Sequence, residues 1–114
     1  MGIVRILRVY EEPDPREFRV LVDRLWPRGV KKDKIDLWLK DVAPSAEVRN
    51  AFGHKEERFD AFTRDYTAEL NHNPAVAQLR EVISAHRHVV LLYGAKDQQH
   101  NQAAVLLDFL NRQA

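Results

Sequence analysis

The chain has 114 residues, 18 Lys and Arg against 17 Asp and Glu, and a formal net charge of +1. That length suits one domain with one core, and a near-neutral balance argues against a dedicated polyanion binder. Hydrophobic residues at 45%, with only four Gly and five Pro, exclude a low-complexity tail, and the absence of cysteine excludes disulfides, thiolate metal sites and a cysteine nucleophile. No apolar run approaches the roughly 18 residues a membrane span needs, so no membrane association is expected and a soluble cytoplasmic protein is the default. Residues 1–34 hold nine basic and six acidic side chains, and the remainder nine and eleven, so the amino-terminal third is the basic part.

Ile3-Val-Arg-Ile-Leu-Arg-Val-Tyr10 and Arg19-Val-Leu-Val-Asp23 are rich in β-branched residues and read as two strands, joined by a polar, proline-containing loop. Trp26-Pro-Arg-Gly29 reads as a turn, because proline fixes φ and glycine accepts positive φ, and the basic stretch Val30 to Lys34 continues as surface. Ile35, Leu37, Trp38, Leu39 and Val42 form a short apolar cluster, with Trp38 assigned to the core. Ser45 stands as the N-cap of a short helix. Phe59, Phe62, Tyr66 and Leu70 recur at helical spacing within a segment from about Lys55 to Asn71, with Tyr66 in the core. Val76, Leu79, Val82 and Ile83 predict another helix, and His88-Val-Val-Leu-Leu-Tyr93 a buried strand. Asp97 is expected to cap a last helix whose apolar positions include Ala103, Leu106, Leu107 and Leu110. The expected architecture is a small α/β sandwich: a mixed sheet of three strands or slightly more, with helices packed on it. The strands at 19–23 and 88–93 are expected to lie parallel.

In open α/β sheets ligands gather at the carboxyl ends of strands. Residues 22–29 and 92–101 leave those ends. They supply Arg24, Arg28 and Lys96 for an anion, Trp26 and Tyr93 for a planar group, Asn101 for hydrogen bonding, and Asp23, Asp97 and His100 for proton transfer. All of them are expected to face one cleft holding a small phosphate- or nucleotide-like ligand. Plainer roles stand beside these: Asp23 with Arg24 as a structural ion pair, Trp26 as a packing anchor, Asp97 as a cap and His100 as a solvated or capping imidazole. His86 and His88 could share a strand face, but no third ligand follows at a recognisable spacing, so no metal site is expected. Neither segment matches a P-loop or a dinucleotide fingerprint, and no cofactor is expected.

Arg19-Val-Leu-Val-Asp-Arg-Leu-Trp-Pro-Arg-Gly29, Ala43-Pro-Ser-Ala-Glu-Val-Arg49, and Leu91-Leu-Tyr-Gly-Ala-Lys-Asp97 with His100-Asn101 resemble the YeaO-like family of small bacterial proteins, a class named as a domain of unknown function. The resemblance spans nearly the whole chain. It marks Asp23, Arg24, Trp26, Pro27, Arg28, Gly29, Lys96, Asp97, His100 and Asn101 as motif positions and implies no reaction. Longer relatives of that class carry a Cys-His-Arg motif near the place where Asn101 and Gln102 stand here, so this chain would work without a thiol at that point. Two alternatives to a small-ligand site remain. One is a nucleic-acid module using Arg5, Arg8, Arg24, Arg28, Lys31, Lys32 and Lys34. The other is a non-catalytic interaction protein presenting Leu25, Trp26 and Val30 as one patch.

Overall fold

A computed structural model describes residues 3–112. Four strands, β1 (Ile3–Arg8), β2 (Phe18–Leu21), β3 (Leu37–Trp38) and β4 (His88–Tyr93), form one sheet in the order β1-β4-β2-β3. The four helices are α1 (Ala46–Phe52), α2 (Phe59–Leu70), α3 (Ala75–Ala85) and α4 (Gln102–Arg112). This is the α/β class expected, with helices packed on a small sheet, but the sheet is not mixed as expected: all three of its pairings are parallel. The parallel arrangement follows from β4. It inserts between β1 and β2 and pairs with both in one direction, so the loop after β1 must travel back along the sheet before β2 begins.

The pleat divides the strands between two unlike layers. Val20, Val89, Leu91 and Tyr93 point into the main core, where they meet Phe62, Tyr66 and Leu70 of α2 and Leu106, Phe109 and Leu110 of α4. On the opposite face Leu21, Val90 and Leu92 meet Val9, Trp26, Val30 and Ile35, which come from loops. A parallel sheet needs both faces covered, and here the second cover is irregular chain instead of helix. Arg5 and Arg19 flank Val90 on that face. Arg5 is bonded to Glu17 at 2.6 Å, and Arg19 to Asp36 at 2.9 Å, so the strand arginines of the basic third are neutralised by the loops lying over them.

Helix ends follow local chemistry. Ser45 Oγ accepts from the Val48 N–H and starts α1 as expected, and Gly53 ends it in the left-handed region at φ 55°. Gly29 takes φ 77° in the turn at 26–29, also as expected. The last helix begins later than expected. Asn101 caps α4 through its Oδ1, which accepts from the Ala104 N–H at 2.9 Å, whereas Asp97 closes the turn before it by accepting from the Gln99 and His100 N–H groups. Tyr66 is fully buried, as expected. Trp38 is not core: it is 36% exposed, because β3 is the outer strand of the sheet and nothing pairs with its far side among the described residues. His86 is stacked on Phe18 at 3.8 Å, which gives that imidazole a packing role. No helix among the described residues is long and apolar enough to cross a membrane.

Candidate functional site

Because β2 and β4 are neighbours, the segments after them meet. The Gly94 N–H donates to Asp23 Oδ2 at 2.8 Å, and the Gln102 side-chain amide donates to Asp23 Oδ1, which ties the end of β2 to the first turn of α4. The Asp23 carbonyl accepts from the Trp38 indole N–H at 2.8 Å, so both ends of the residue are held. Burial pushes the Asp23 carboxyl up from 3.8 to about 6, against the opposing pull of the Gly94 and Gln102 hydrogen bonds. Gly94 is required by proximity: a Cβ there would stand 3.1 Å from Asp23 Oδ2. Gly94→Ala is therefore expected to displace the carboxylate or lengthen its bond, with a loss of about 1–3 kcal/mol measurable by urea denaturation. An unchanged midpoint would mean that Asp23 moves freely.

Beside Asp23 lies a cavity of about 100 Å³, lined by Arg24, Arg49, His54 and Gln102 together with the stacked rings of Phe52 and Phe62. The Arg24 guanidinium is anchored at one end, donating through Nη2 to the carbonyls of Ala43 at 3.1 Å and Pro44 at 3.3 Å, with Asp41 at 3.9 Å from Nη1. Its Nε is buried without a hydrogen-bond partner. Unpaired buried donors of this kind are uncommon and call for an acceptor. Arg49 and His54 make no side-chain hydrogen bond or ion pair among the described residues. His54 is held at the rim by a left-handed backbone, φ 58°, next to Gly53.

Of the nine side chains expected to converge, only Asp23 and Arg24 line this cavity. Trp26 lies on the opposite face of the sheet, with its indole N–H donating to the Val30 carbonyl at 2.7 Å and its ring edge-on to Trp38. Arg28 and Lys96 are exposed. Tyr93 is 2% exposed within the main core, where burial raises its phenol. Asn101 is fully buried and spent on capping, its amide donating to the Asp97 carbonyl at 3.0 Å. Asp97 and His100 form a separate pair, Oδ2 to Nδ1 at 2.9 Å, with Glu56 3.5 Å from the other ring nitrogen and Phe59 edge-on. Bonds from the His100 and Gln99 N–H groups hold the Asp97 carboxyl below its usual range. The single cleft read from the sequence thus separates into an Asp23–Arg24 cavity, an Asp97–His100 turn and a tryptophan layer beyond the sheet.

Arg49, His54 and Gln102 are the cavity residues that sequence reasoning did not assign. Gln102 sits where the first turn of the final helix must meet the end of β2. Arg49 and His54 arrive on a segment whose packing no local pattern announces, and the only local sign was Gly53 ending a short helix. The interaction patch divides as well: Leu25, 66% exposed, stands on the cavity wall, while Trp26 and Val30 face the other way.

An α/β domain with a small, mainly apolar cavity at its strand ends, edged by a few polar side chains, is the class these features define. The chain belongs to the DUF488-N3i family, described as the inactive DUF488-N3 subclade, whose model matches residues 3–114. An uncharacterised protein of Mycobacterium tuberculosis strain H37Rv is 43% identical over 119 residues, spanning 95% of this chain and 93% of its own, and one from Mycobacterium bovis matches to the same extent. The uncharacterised protein YeaO of Escherichia coli K12 is 37% identical over 110 residues, spanning 94% of this chain and 96% of its own. The resemblance to the YeaO-like family is therefore borne out. No solved structure gives a significant match.

Proposed function

We propose that this domain binds, in the cytoplasm, a small anionic molecule in the cavity beside Asp23, and that it binds without converting it. The observation that carries the reading is the Arg24 guanidinium, oriented by two backbone carbonyls at the cavity that Arg49 also lines. Guanidinium groups fixed in this way suit a carboxylate or phosphate oxygen. Asp23 is an acceptor and would repel a bare anion, so the favoured ligand also carries a hydroxyl or N–H directed to that carboxylate. The case for binding alone is that both Asp23 oxygens are already engaged and that the cavity contains no serine, threonine or lysine nucleophile. The family description, with its word inactive, points the same way.

A thermal-shift titration with inorganic phosphate, glycolate and adenosine monophosphate tests the reading. A ligand at 100 times its Kd adds about 2.7 kcal/mol, which for a chain of this size moves the midpoint by on the order of 10 °C. The shift should disappear in Arg49→Ala. No shift with any of the three at millimolar concentration, or a shift that Arg49→Ala retains, counts against the site. The nucleic-acid alternative is weakened by the pairing of Arg5 with Glu17 and the anchoring of Arg24 on carbonyls, which take two of its seven side chains out of play.

A further inference from the structure

The tryptophan layer on the far side of the sheet has no part in the cavity. Trp26, Val30, Ile35, Leu37 and Trp38 line an open groove of about 720 Å³ whose surface is overwhelmingly apolar. Both indoles are fixed, because Trp26 donates to the Val30 carbonyl at 2.7 Å and Trp38 to the Asp23 carbonyl at 2.8 Å. Their rings meet edge-on at 5.4 Å. Rigid aromatic walls of this kind lose little entropy when a partner's side chain enters, and such anchors dominate interfaces.

Around the groove cations outnumber acids, although exposed Asp33 stands between Lys32 and Lys34. Lys31 and Lys32 stand exposed on its rim, and Lys40 lies over the Trp38 ring at 5.5 Å. The one acid in the lining, Asp36, is already bonded to Arg19 through both its oxygens. The groove also runs beside β3, the sheet's outer strand, along which an extended segment can lie.

We propose that this groove docks an extended acidic peptide segment of a protein partner, with an apolar side chain seated in the groove against the paired Trp26 and Trp38 rings and carboxylates meeting Lys31 and Lys32. A peptide is favoured over single-stranded nucleic acid by the walls. Val30, Ile35 and Leu37 fit an aliphatic or phenyl group, and both indole N–H groups are committed to carbonyls, so neither is free to read the edge of a base.

The chain's two tryptophans both line this groove, so tryptophan emission reports on it. The probe is a synthetic peptide with Phe-Leu between runs of glutamate. Titration into the whole protein should change tryptophan emission saturably. Affinity should fall about tenfold or more in the double variant Lys31→Glu, Lys32→Glu, and should weaken with added salt. Four results would overturn the proposal: no response at millimolar peptide; an equal response to the same peptide with lysine flanks; saturation by an oligothymidylate in place of the peptide; or a concentration-dependent emission change accompanied by dimer in sedimentation velocity, which would mean that a second copy covers the groove. Circular dichroism of the double variant should match that of the parent, since both lysines are exposed.

Discussion

Tyr66→Ala is expected to remove about 3–5 kcal/mol of stability, enough to bring a domain of ordinary stability close to unfolding. The side chain is fully buried on α2, its ring 5.6 Å from that of Phe62, and its hydroxyl donates to the Val42 carbonyl at 2.6 Å. Truncation opens a cavity in the main core and leaves the carbonyl without a partner. Tyr66→Phe separates the two effects: it keeps the ring and loses only the hydrogen bond, with an expected cost of about 1–3 kcal/mol. Urea denaturation with an unchanged slope gives both values, and a Tyr66→Phe midpoint equal to that of the parent would show that the bond contributes nothing. The consequence extends beyond the core. Val42 is followed directly by Ala43 and Pro44, whose carbonyls orient Arg24, so the buried hydroxyl fixes the turn that holds the guanidinium at the cavity. Tyr66→Phe is expected to weaken phosphate binding as well as stability.

The division of the expected cleft shows which parts of this molecule are written locally and which are not. Periodicity and β-branching locate β1, β2, β4 and the helices, because each buries a face long enough to leave a pattern. They also bring Asp23 to Gly94, since both residues follow ends of adjacent parallel strands. β3 leaves no such pattern. It is two residues long, and it follows the anchoring of Asp36 by the Arg19 backbone and guanidinium, a contact between distant positions. The capping residue of α4 is Asn101 instead of the expected Asp97 for a similar reason. Asp97 and Asn101 both have capping side chains, and the choice falls to Asn101 because the chain needs the residues from Gly94 onward to pass over the end of β2 before the helix can start. Trp26 belongs to the motif most suggestive of a ligand, yet the pleat puts it with Leu21 and Leu92 on the face away from the helices. Spacing along the chain places residues near the strand ends, but the face each one takes depends on what covers each side of the sheet. Here one side is covered by loops whose packing follows no period.

Asp23→Asn is expected to stabilise the protein at neutral pH by up to about 3 kcal/mol, the free-energy equivalent of a carboxyl raised from 3.8 to about 6. The direction follows from proton binding. Below pH 3.8 Asp23 is protonated in both folded and unfolded chains and imposes no penalty. Between about pH 4 and 6 the unfolded chain releases its proton first, so stability falls as pH rises, and above about pH 6 the penalty is complete. Glu17 and Asp36 behave oppositely: the hydrogen bonds from Arg5 and Arg19 lower their carboxyls, and the stability they contribute is lost as pH falls through their depressed values. The quantity to measure is therefore the difference between parent and Asp23→Asn in urea melts from pH 4 to pH 8, in which those contributions cancel. The difference should open with rising pH and level off above about pH 6, while curves that stay parallel would show that the carboxylate is not penalised by burial. Asparagine can still accept from the Gly94 N–H, and Gln102 can turn its amide to present the carbonyl, so the variant should keep the local fold. A carboxylate held buried at a cost that its amide would avoid belongs with function in preference to folding. The same variant should accordingly bind glycolate or phosphate differently. Losing a negative charge strengthens a bare anion such as phosphate, whereas losing the acceptor weakens a ligand whose hydroxyl it receives, and the sign of that change identifies which group of the ligand meets Asp23.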